Sequence, residues 1–389
     1  MFTRWTNTLS VLVMVGLAGA AGRAAATELV PQSDTEVIEV LPAAAGSRAE
    51  ERKLRRQWAA NPRDAVSAAA LARRYLDQAR GQGDPRHAGR ALAVLQAWPV
   101  ADTAPDDILL MQATLQQYLH EFDTASRNLE LLVKRQPGSA QAWLTLATLR
   151  RVQGRYVDSD VGCRALAALP GANIYGQACL AENQSLRGEF AKARDALRQL
   201  QGTPGLLAET RAWLLTTLAE TETRAGRYPQ AEKAYRDALR QHADDYAALS
   251  FADFLIDNNR PADALPVLEP LPRTDQVVLR LAMAGTRLKT PQAAHDAQEM
   301  RDRIAQANLR PQAQTVHARE QAMFALVVEN QPERALQLAR VNLAVQREPI
   351  DVLLLARAAR AAGQGDALRE AARLSERIGL KDARLDALR

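Results

Sequence analysis

The stretch ETRAGRYPQAEKAYRDALRQ, residues 222–241, holds one glycine followed by small and aromatic residues at helical spacing. Gly226 interrupts the polar start, and Tyr228, Ala231 and Tyr235 follow at intervals of three and four residues. Residues three and four apart share one face of an α-helix, so this face would be apolar. The stretch therefore predicts the end of one helix, a tight turn and a second helix that buries one face.

A second stretch, SLRGEFAKARDALRQL at residues 185–200, shows the same order of residues. Gly188 stands 38 residues before Gly226, and Phe190 and Ala193 follow it in the corresponding places. A helix–turn–helix unit that returns at near-constant spacing is typical of repeat architectures, in which each unit packs only on its neighbours.

The same spacing recurs along the chain at the small residue that opens the second helix of each predicted pair. These residues are Ala88, Ala125, Ser159, Ala193, Ala231, Ala264, about Ala294, Ala335 and Ala367. Successive gaps are 37, 34, 34, 38, 33, 30, 41 and 32 residues. A Gly or Asn stands five residues before most of them, where a helix would end in the left-handed conformation. These turn residues are Gly83, Gly154, Gly188, Gly226, Asn259 and Asn330.

Between the turns the sequence is rich in Ala, Leu, Arg and Gln, which favour helices, and β-branched runs that would indicate strands are scarce. The small residue lets two antiparallel helices approach closely, and the residue four positions later fills the seam between them. One hairpin cannot cover its own apolar stripe, but the next hairpin covers it. The predicted fold class is all-α, a solenoid of stacked helical hairpins.

These features resemble the tetratricopeptide-repeat family, whose unit of 34 residues is a helix–turn–helix. In the best-matching unit, residues 140–170, Trp143 and Leu146 stand where the family has Trp and Leu, while Gly154 and Tyr156 stand at the turn. The resemblance implies a right-handed α-solenoid of about nine repeats. It is clearest over a central segment, residues 106–271.

The remaining sequence predicts three segments. Residues 1–26 look like a secretory signal peptide, because Arg4 precedes an apolar stretch and small residues precede the predicted cleavage point. A retained membrane anchor is the alternative. Residues 27–49 are acidic and contain prolines, which indicates a disordered linker that serves as a tether or as a docking peptide. Residues 50–389 form the predicted solenoid.

Charge and cysteine content limit the partners. The net charge of +5 becomes +3 when Arg4 and Arg23 are removed with the signal peptide (5 − 2), and the remaining charges are dispersed. That balance does not indicate a nucleic-acid-binding surface. Export would place Cys163 and Cys179 in an oxidising compartment, where they form a disulfide or stay as two buried thiols.

No catalytic constellation is present in the sequence. The five histidines are far apart, and HExxH, GxSxG and phosphate-loop motifs are missing. Carboxylate pairs such as Asp106–Asp107 fall at predicted helix starts, where they favour the helix dipole. We therefore predict a protein that is not an enzyme and that carries no cofactor and no metal.

The resemblance implies that the first helix of each hairpin lines a concave, partner-binding face. Carrying the family's inward positions over unit by unit gives ten candidate residues. They are Tyr118, Arg151, Tyr175, Glu182, Trp213, Glu220, Arg224, Tyr246, Asp253 and Asp257. Aromatic rings suit peptide or sugar contacts. The carboxylates of Glu182, Glu220, Asp253 and Asp257 would form an acidic floor on this face, which suits a basic or neutral extended segment.

Together these features predict a scaffold that binds a protein or peptide partner along its concave face. The signal peptide and the Ala/Arg-rich composition indicate a bacterial periplasmic protein in a cell-envelope assembly, export or secretion system. We expect no transmembrane segment in the mature chain. Two alternatives stay open: a structural scaffold that forms homo-oligomers, and an accessory protein that binds envelope glycan.

Both ends of the predicted solenoid have expected roles. The basic segment at residues 51–58 would start a capping helix or touch an anionic envelope surface. The polar residues 380–389 are expected to form a last helix that covers the end of the stack.

Overall fold

The computed structural model describes residues 45–82, 86–309 and 317–388. The predicted signal peptide (1–26), the linker up to residue 44 and the turn residue Gly83 lie outside the described residues. The first helix begins at Ala45, so the last five residues assigned to the linker are helical. The chain divides into two compact units, Met1–Ala49 and Glu50–Arg389, and the second holds all the repeats.

The described residues form twenty α-helices and one short 3-10 helix (Ala101–Thr103), with no strand among them. The helices are α1 (Ala45–Ala60), α2 (Ala65–Gln82), α3 (Arg86–Leu95), α4 (Asp106–Tyr118), α5 (Phe122–Arg135), α6 (Ala140–Val152), α7 (Tyr156–Ala168), α8 (Asn173–Leu186), α9 (Phe190–Gln201), α10 (Ala208–Arg224), α11 (Tyr228–Gln241), α12 (Asp245–Asp257), α13 (Pro261–Leu268), α14 (Asp275–Leu288), α15 (Ala293–Asn308), α16 (Ala318–Val327), α17 (Pro332–Leu343), α18 (Pro349–Ala361), α19 (Gly365–Ile378) and α20 (Ala383–Asp386).

Eighteen of these helices pair into nine consecutive hairpins, from α2–α3 to α18–α19, and each hairpin packs on the next. Helix α1 precedes the stack, and α20 follows it. The prediction of an all-α solenoid with about nine helical hairpins is confirmed.

The turn inside each hairpin from α4–α5 to α18–α19 has one repeated geometry. One residue per turn adopts a positive φ between 52° and 86°. These residues are His120, Gly154, Gly188, Gly226, Asn259, Lys289, Asn330 and Gly363. In seven of these eight turns the next amide donates to the carbonyl oxygen five residues back, as from Arg227 to Glu222 at 2.8 Å, which satisfies a free carbonyl at the helix end. Three of these turn residues, at positions 120, 289 and 363, were missed because histidine and lysine carry no turn signal and the last glycine precedes its alanine by four residues.

The small residues predicted at the hairpin seams are buried. Eight of them are at most 1% exposed, and they are Ala88, Ala125, Ser159, Ala193, Ala231, Ala264, Ala335 and Ala367. The position assigned near Ala294 is wrong, because that residue is exposed. In this hairpin Ala293 makes the close approach instead, since a Cβ added to Gly285 would lie 3.0 Å from its Cβ.

The solenoid closes on itself, which the sequence did not predict. The backbone N–H of Arg347, just before α18, donates to the carbonyl oxygen of Val152 at the end of α6 at 2.7 Å. The N–H of Lys381, just before α20, donates to the carbonyl oxygen of Leu186 at the end of α8 at 2.9 Å. The C-terminal hairpins therefore pack against the middle of the stack.

The C-terminal segment was expected to cover the end of the stack, and this expectation is wrong. Leu385 of α20 is buried in the same core as Leu186 and Leu353. The Cβ of Ala383 would lie 3.3 Å from a Cβ added to Gly226. The segment lies inside the curved stack because it carries apolar residues that the middle hairpins can bury.

A disulfide joins Cys163 in α7 to Cys179 in α8 and closes a loop with a sequence separation of 16 residues. Among the described helices, none combines the length and apolar character that crossing a membrane would require.

The packing of the C-terminal segment predicts a difference between two turn glycines. Gly188 and Gly363 both have positive φ, so alanine should cost about 1–2 kcal/mol of backbone strain at either. A Cβ at Gly188 would also lie 2.8 Å from Cγ of Lys381, whereas Gly363 has open space. Gly188→Ala should therefore lower the free energy of unfolding in urea by more than Gly363→Ala. Equal losses would contradict the packing of Lys381 at this turn.

Candidate functional site

Closure of the stack encloses a cavity of about 300 Å³ on its concave side. The wall comes from the first helices of seven consecutive hairpins, α6 to α18, with Tyr235 from α11 and Arg384 from α20. The expectation that first helices line the concave face agrees with this arrangement. The C-terminal helices narrow that face to a cavity that stays partly open to solvent.

Seven of the ten candidate residues line this cavity. They are Arg151, Glu182, Glu220, Arg224, Tyr246, Asp253 and Asp257. The other three lie elsewhere. Tyr118 donates its hydroxyl to the carbonyl oxygen of Ala79 at 3.3 Å, while Tyr175 and Trp213 pack against each other. A role of these residues in binding a partner stays a prediction.

The acidic floor is largely paired with arginines of the same chain. Arg151 contacts Glu182 at 3.1 Å, and Arg280 of α14 contacts Asp253 at 2.6 Å. Desolvation raises the pKa of Asp253, and the charge of Arg280 opposes that rise.

Asp257 joins the C-terminal helices to this floor. Its carboxylate contacts Arg357 of α18 at 2.7 Å and Arg384 of α20 at 3.6 Å. Asp382 fixes Arg384 through a second contact of 2.7 Å. These partners lie 100 or more residues away in sequence, so helical periodicity could not have assigned them to the floor.

A second charged network lies where α16 meets the start of α18. The guanidinium of Arg319 contacts Glu348 at 2.5 Å and Asp351 at 2.6 Å. Asp351 is buried and also accepts a hydrogen bond from Asn342 at 2.6 Å. Burial raises the pKa of Asp351, and Arg319 opposes this by favouring the charged carboxylate.

Glu220 and Arg224 lie one turn apart on α10 and differ from the other charges of the wall. The carboxylate of Glu220 accepts a hydrogen bond from the Tyr246 hydroxyl at 2.6 Å. Desolvation raises the pKa of Glu220, and the nearby Glu220 charge raises the pKa of Tyr246 well above its usual range. The guanidinium of Arg224 donates to the hydroxyl of Ser185 at 3.0 and 3.3 Å.

An aromatic pair stands outside the cavity. The rings of Tyr175 (α8) and Trp213 (α10) have centroids 5.7 Å apart, and both are partly exposed. The Tyr175 hydroxyl lies 3.4 Å from the hydroxyl of Thr210. Leu207, the residue before α10, is 68% exposed. We call Tyr175 and Trp213 the aromatic edge.

Metal binding finds no support in the described part of the chain. No group of three or more His, Cys, Asp and Glu side chains there is arranged to hold a metal ion.

His120, next to Phe122 with ring centroids 5.3 Å apart, has a pKa lowered by burial. It therefore favours the neutral form.

The stacked hairpins and their concave face define the class of protein as a solenoid scaffold of helical hairpins. This fold commonly supports protein–protein interaction. The family model of the tetratricopeptide repeat matches residues 222–288, from the end of α10 to the end of α14. The same turn and buried small residue recur in hairpins before and after this match, so those hairpins share the geometry of the matched residues.

Two solved structures are similar to this chain. PilF of Pseudomonas aeruginosa has 15% sequence identity and a TM-score of 0.37, with 51% of this chain and 90% of PilF covered. MamA has 15% identity and a TM-score of 0.30, with 43% of this chain and 94% of MamA covered. No curated protein sequence matches the chain.

Asp257 should hold the C-terminal hairpins in place. Asp257→Asn removes the acidic partner of Arg357 and one of the two acidic partners of Arg384, and it should lower the free energy of unfolding by about 2–3 kcal/mol in urea denaturation. The control is Asp366→Asn, whose 94% exposed side chain pairs only with exposed Arg369 and should change stability by less than about 0.5 kcal/mol. Similar small effects of both substitutions would contradict this role of Asp257.

Proposed function

We propose that this protein is a non-catalytic scaffold that binds a protein partner at the aromatic edge. The observation that carries the proposal is the pair of partly exposed rings, Tyr175 and Trp213, whose centroids lie 5.7 Å apart. Aromatic residues with a polar end are enriched at the energetic centres of protein interfaces. The chain's own C-terminal hairpins already occupy much of the concave face, which favours an open edge over its interior for a large partner.

We further propose that the protein is exported to the bacterial periplasm and serves a cell-envelope assembly, export or secretion system. The signal-like residues 1–26 support export. The disulfide between Cys163 and Cys179 also supports it, because disulfides persist in oxidising compartments. A solenoid that presents a long surface suits an assembly of several proteins.

Affinity capture tests the partner site. Residues 27–389 serve as bait in crosslinked envelope extract, with the double variant Tyr175→Ala/Trp213→Ala for comparison. Loss of two aromatic anchors should weaken partner binding about 30-fold or more, which removes the partner from the captured proteins. Val157→Ala is the control, since it removes an exposed apolar side chain from the second helix of a hairpin.

Partner recovery that is equal with all three baits would contradict the aromatic edge as the site. Recovery of only the protein itself, as a multimer, would favour the structural, self-associating alternative. The captured partner is then titrated against the purified baits, so that the change in Kd is measured directly.

Thiol labelling tests export. The full chain and a variant lacking residues 2–26 are expressed in bacteria, trapped in acid and labelled with a maleimide under denaturing conditions. Both cysteines are buried, so denaturation is needed for labelling. We expect no label on the full chain and two labels on the truncated chain. Two labels on both chains, in the same cell fraction, would contradict export.

A further inference from the structure

The cavity wall carries eleven charged side chains, and eight of them have an oppositely charged partner. The paired residues are Arg151, Glu182, Asp253, Asp257, Arg280, Arg319, Glu348 and Arg384. Three remain: Glu220, Arg224 and Glu320. Within the described residues, none of the three forms an ion pair with another side chain. We call them the three open charges.

Arg224 is the most deeply buried of the three open charges. Its side chain is only 6% exposed, and its recorded hydrogen bonds go to one neutral hydroxyl, that of Ser185. A buried guanidinium without an anion is costly, because the interior does not replace the hydration that it loses. An anionic group in the cavity would relieve this cost.

Glu220 supplies the opposite charge on the same helix face. It lies four residues before Arg224 on α10, so the two Cβ atoms are roughly 5–6 Å apart. Its carboxylate is bound only by the neutral hydroxyl of Tyr246. The cavity therefore presents a cation and an anion one helical turn apart, and among the described residues neither lies in ion-pair contact with an oppositely charged group. A ligand with adjacent opposite charges would satisfy both.

The size of the cavity restricts the ligand. About 300 Å³ lies at the lower end of the range for sites that enclose small molecules. A cavity of this volume accommodates a small molecule. Glu320, contributed by α16, adds a third open charge, so that the sum of the three is −1 (−1 + 1 − 1). The complementary ligand is therefore small, zwitterionic at one end and cationic overall.

We propose that the cavity binds a free basic amino acid, with its α-carboxylate on Arg224, its α-ammonium on Glu220 and its side-chain cation on Glu320. The site is separate from the aromatic edge and does not depend on the partner proposed there. It lies between the middle hairpins and the C-terminal ones, so a bound ligand would stabilise the closed solenoid by mass action.

Calorimetric titration of residues 27–389 with L-arginine and L-lysine tests this proposal. We expect saturable binding of one or both and none of L-glutamate, whose side chain would meet Glu320. N-acetyl-L-arginine and L-arginine amide each lack one of the two α-charges, and each should bind at least about tenfold more weakly. Equal affinity of either derivative would overturn the free amino acid as ligand and point to the end of a polypeptide.

Three variants assign the contacts. Glu220→Gln and Glu320→Gln should each weaken arginine binding by about tenfold or more. Glu209→Gln is the control, because it makes the same substitution at an exposed position of the same helix α10. Arg224→Gln should also abolish binding. If this variant does not fold, Glu220→Gln and Glu320→Gln alone decide the outcome. Thermal melting of each variant confirms that its fold is intact.

The outcomes separate this proposal from the partner site. The double variant Tyr175→Ala/Trp213→Ala should bind arginine as well as the parent chain does, even though it loses the protein partner. The absence of saturable binding of both amino acids to the folded parent chain would overturn the proposal. Unchanged binding by Glu220→Gln would overturn it as well.

Discussion

Each hairpin of this protein depends on the close approach of two antiparallel helices at one buried small residue. Alanine or serine at the seam leaves room for the facing backbone, as where Ser159 donates to the carbonyl oxygen of Ala147 at 2.8 Å. The turn before it needs one left-handed residue, such as Gly154, so that the second helix can return along the first. Where these conditions recur along the chain, stacking follows, because every hairpin covers the apolar face of its neighbour.

Repetition alone would leave an open curved surface, and the C-terminal hairpins close it. Backbone hydrogen bonds from Arg347 and Lys381 reach the ends of α6 and α8, where carbonyl groups lack partners within their own helices. The ion pairs of Asp257 join the same parts through side chains. Closure converts a concave face into a cavity wall and supplies partners for most of its acidic residues. Most of these carboxylates pair with arginines of the same chain, so they are not free to bind a basic partner.

Among the residues that the structure describes, three charged side chains of the cavity wall form no ion pair. Arg224 and Glu220 lie on one helix face, and Glu320 comes from α16. Charged groups in a small enclosed volume interact strongly because water screens them less there. This setting favours a small, oppositely charged ligand inside the stack. A protein partner is better served by the exposed rings of Tyr175 and Trp213, which bury apolar area without desolvating a charge.

The sequence by itself determined the hairpins: the spacing of Ala231 and its equivalents and the turns at Gly226 and Asn259. These features depend on contacts between neighbours in the chain, which helical periodicity records. The tertiary structure alone decided the closure, the inward course of α20 and the pairing of Asp257 with Arg357 and Arg384. These contacts join residues 100 or more positions apart. They depend on the small rotation between successive hairpins summed over the whole stack, which no local pattern encodes.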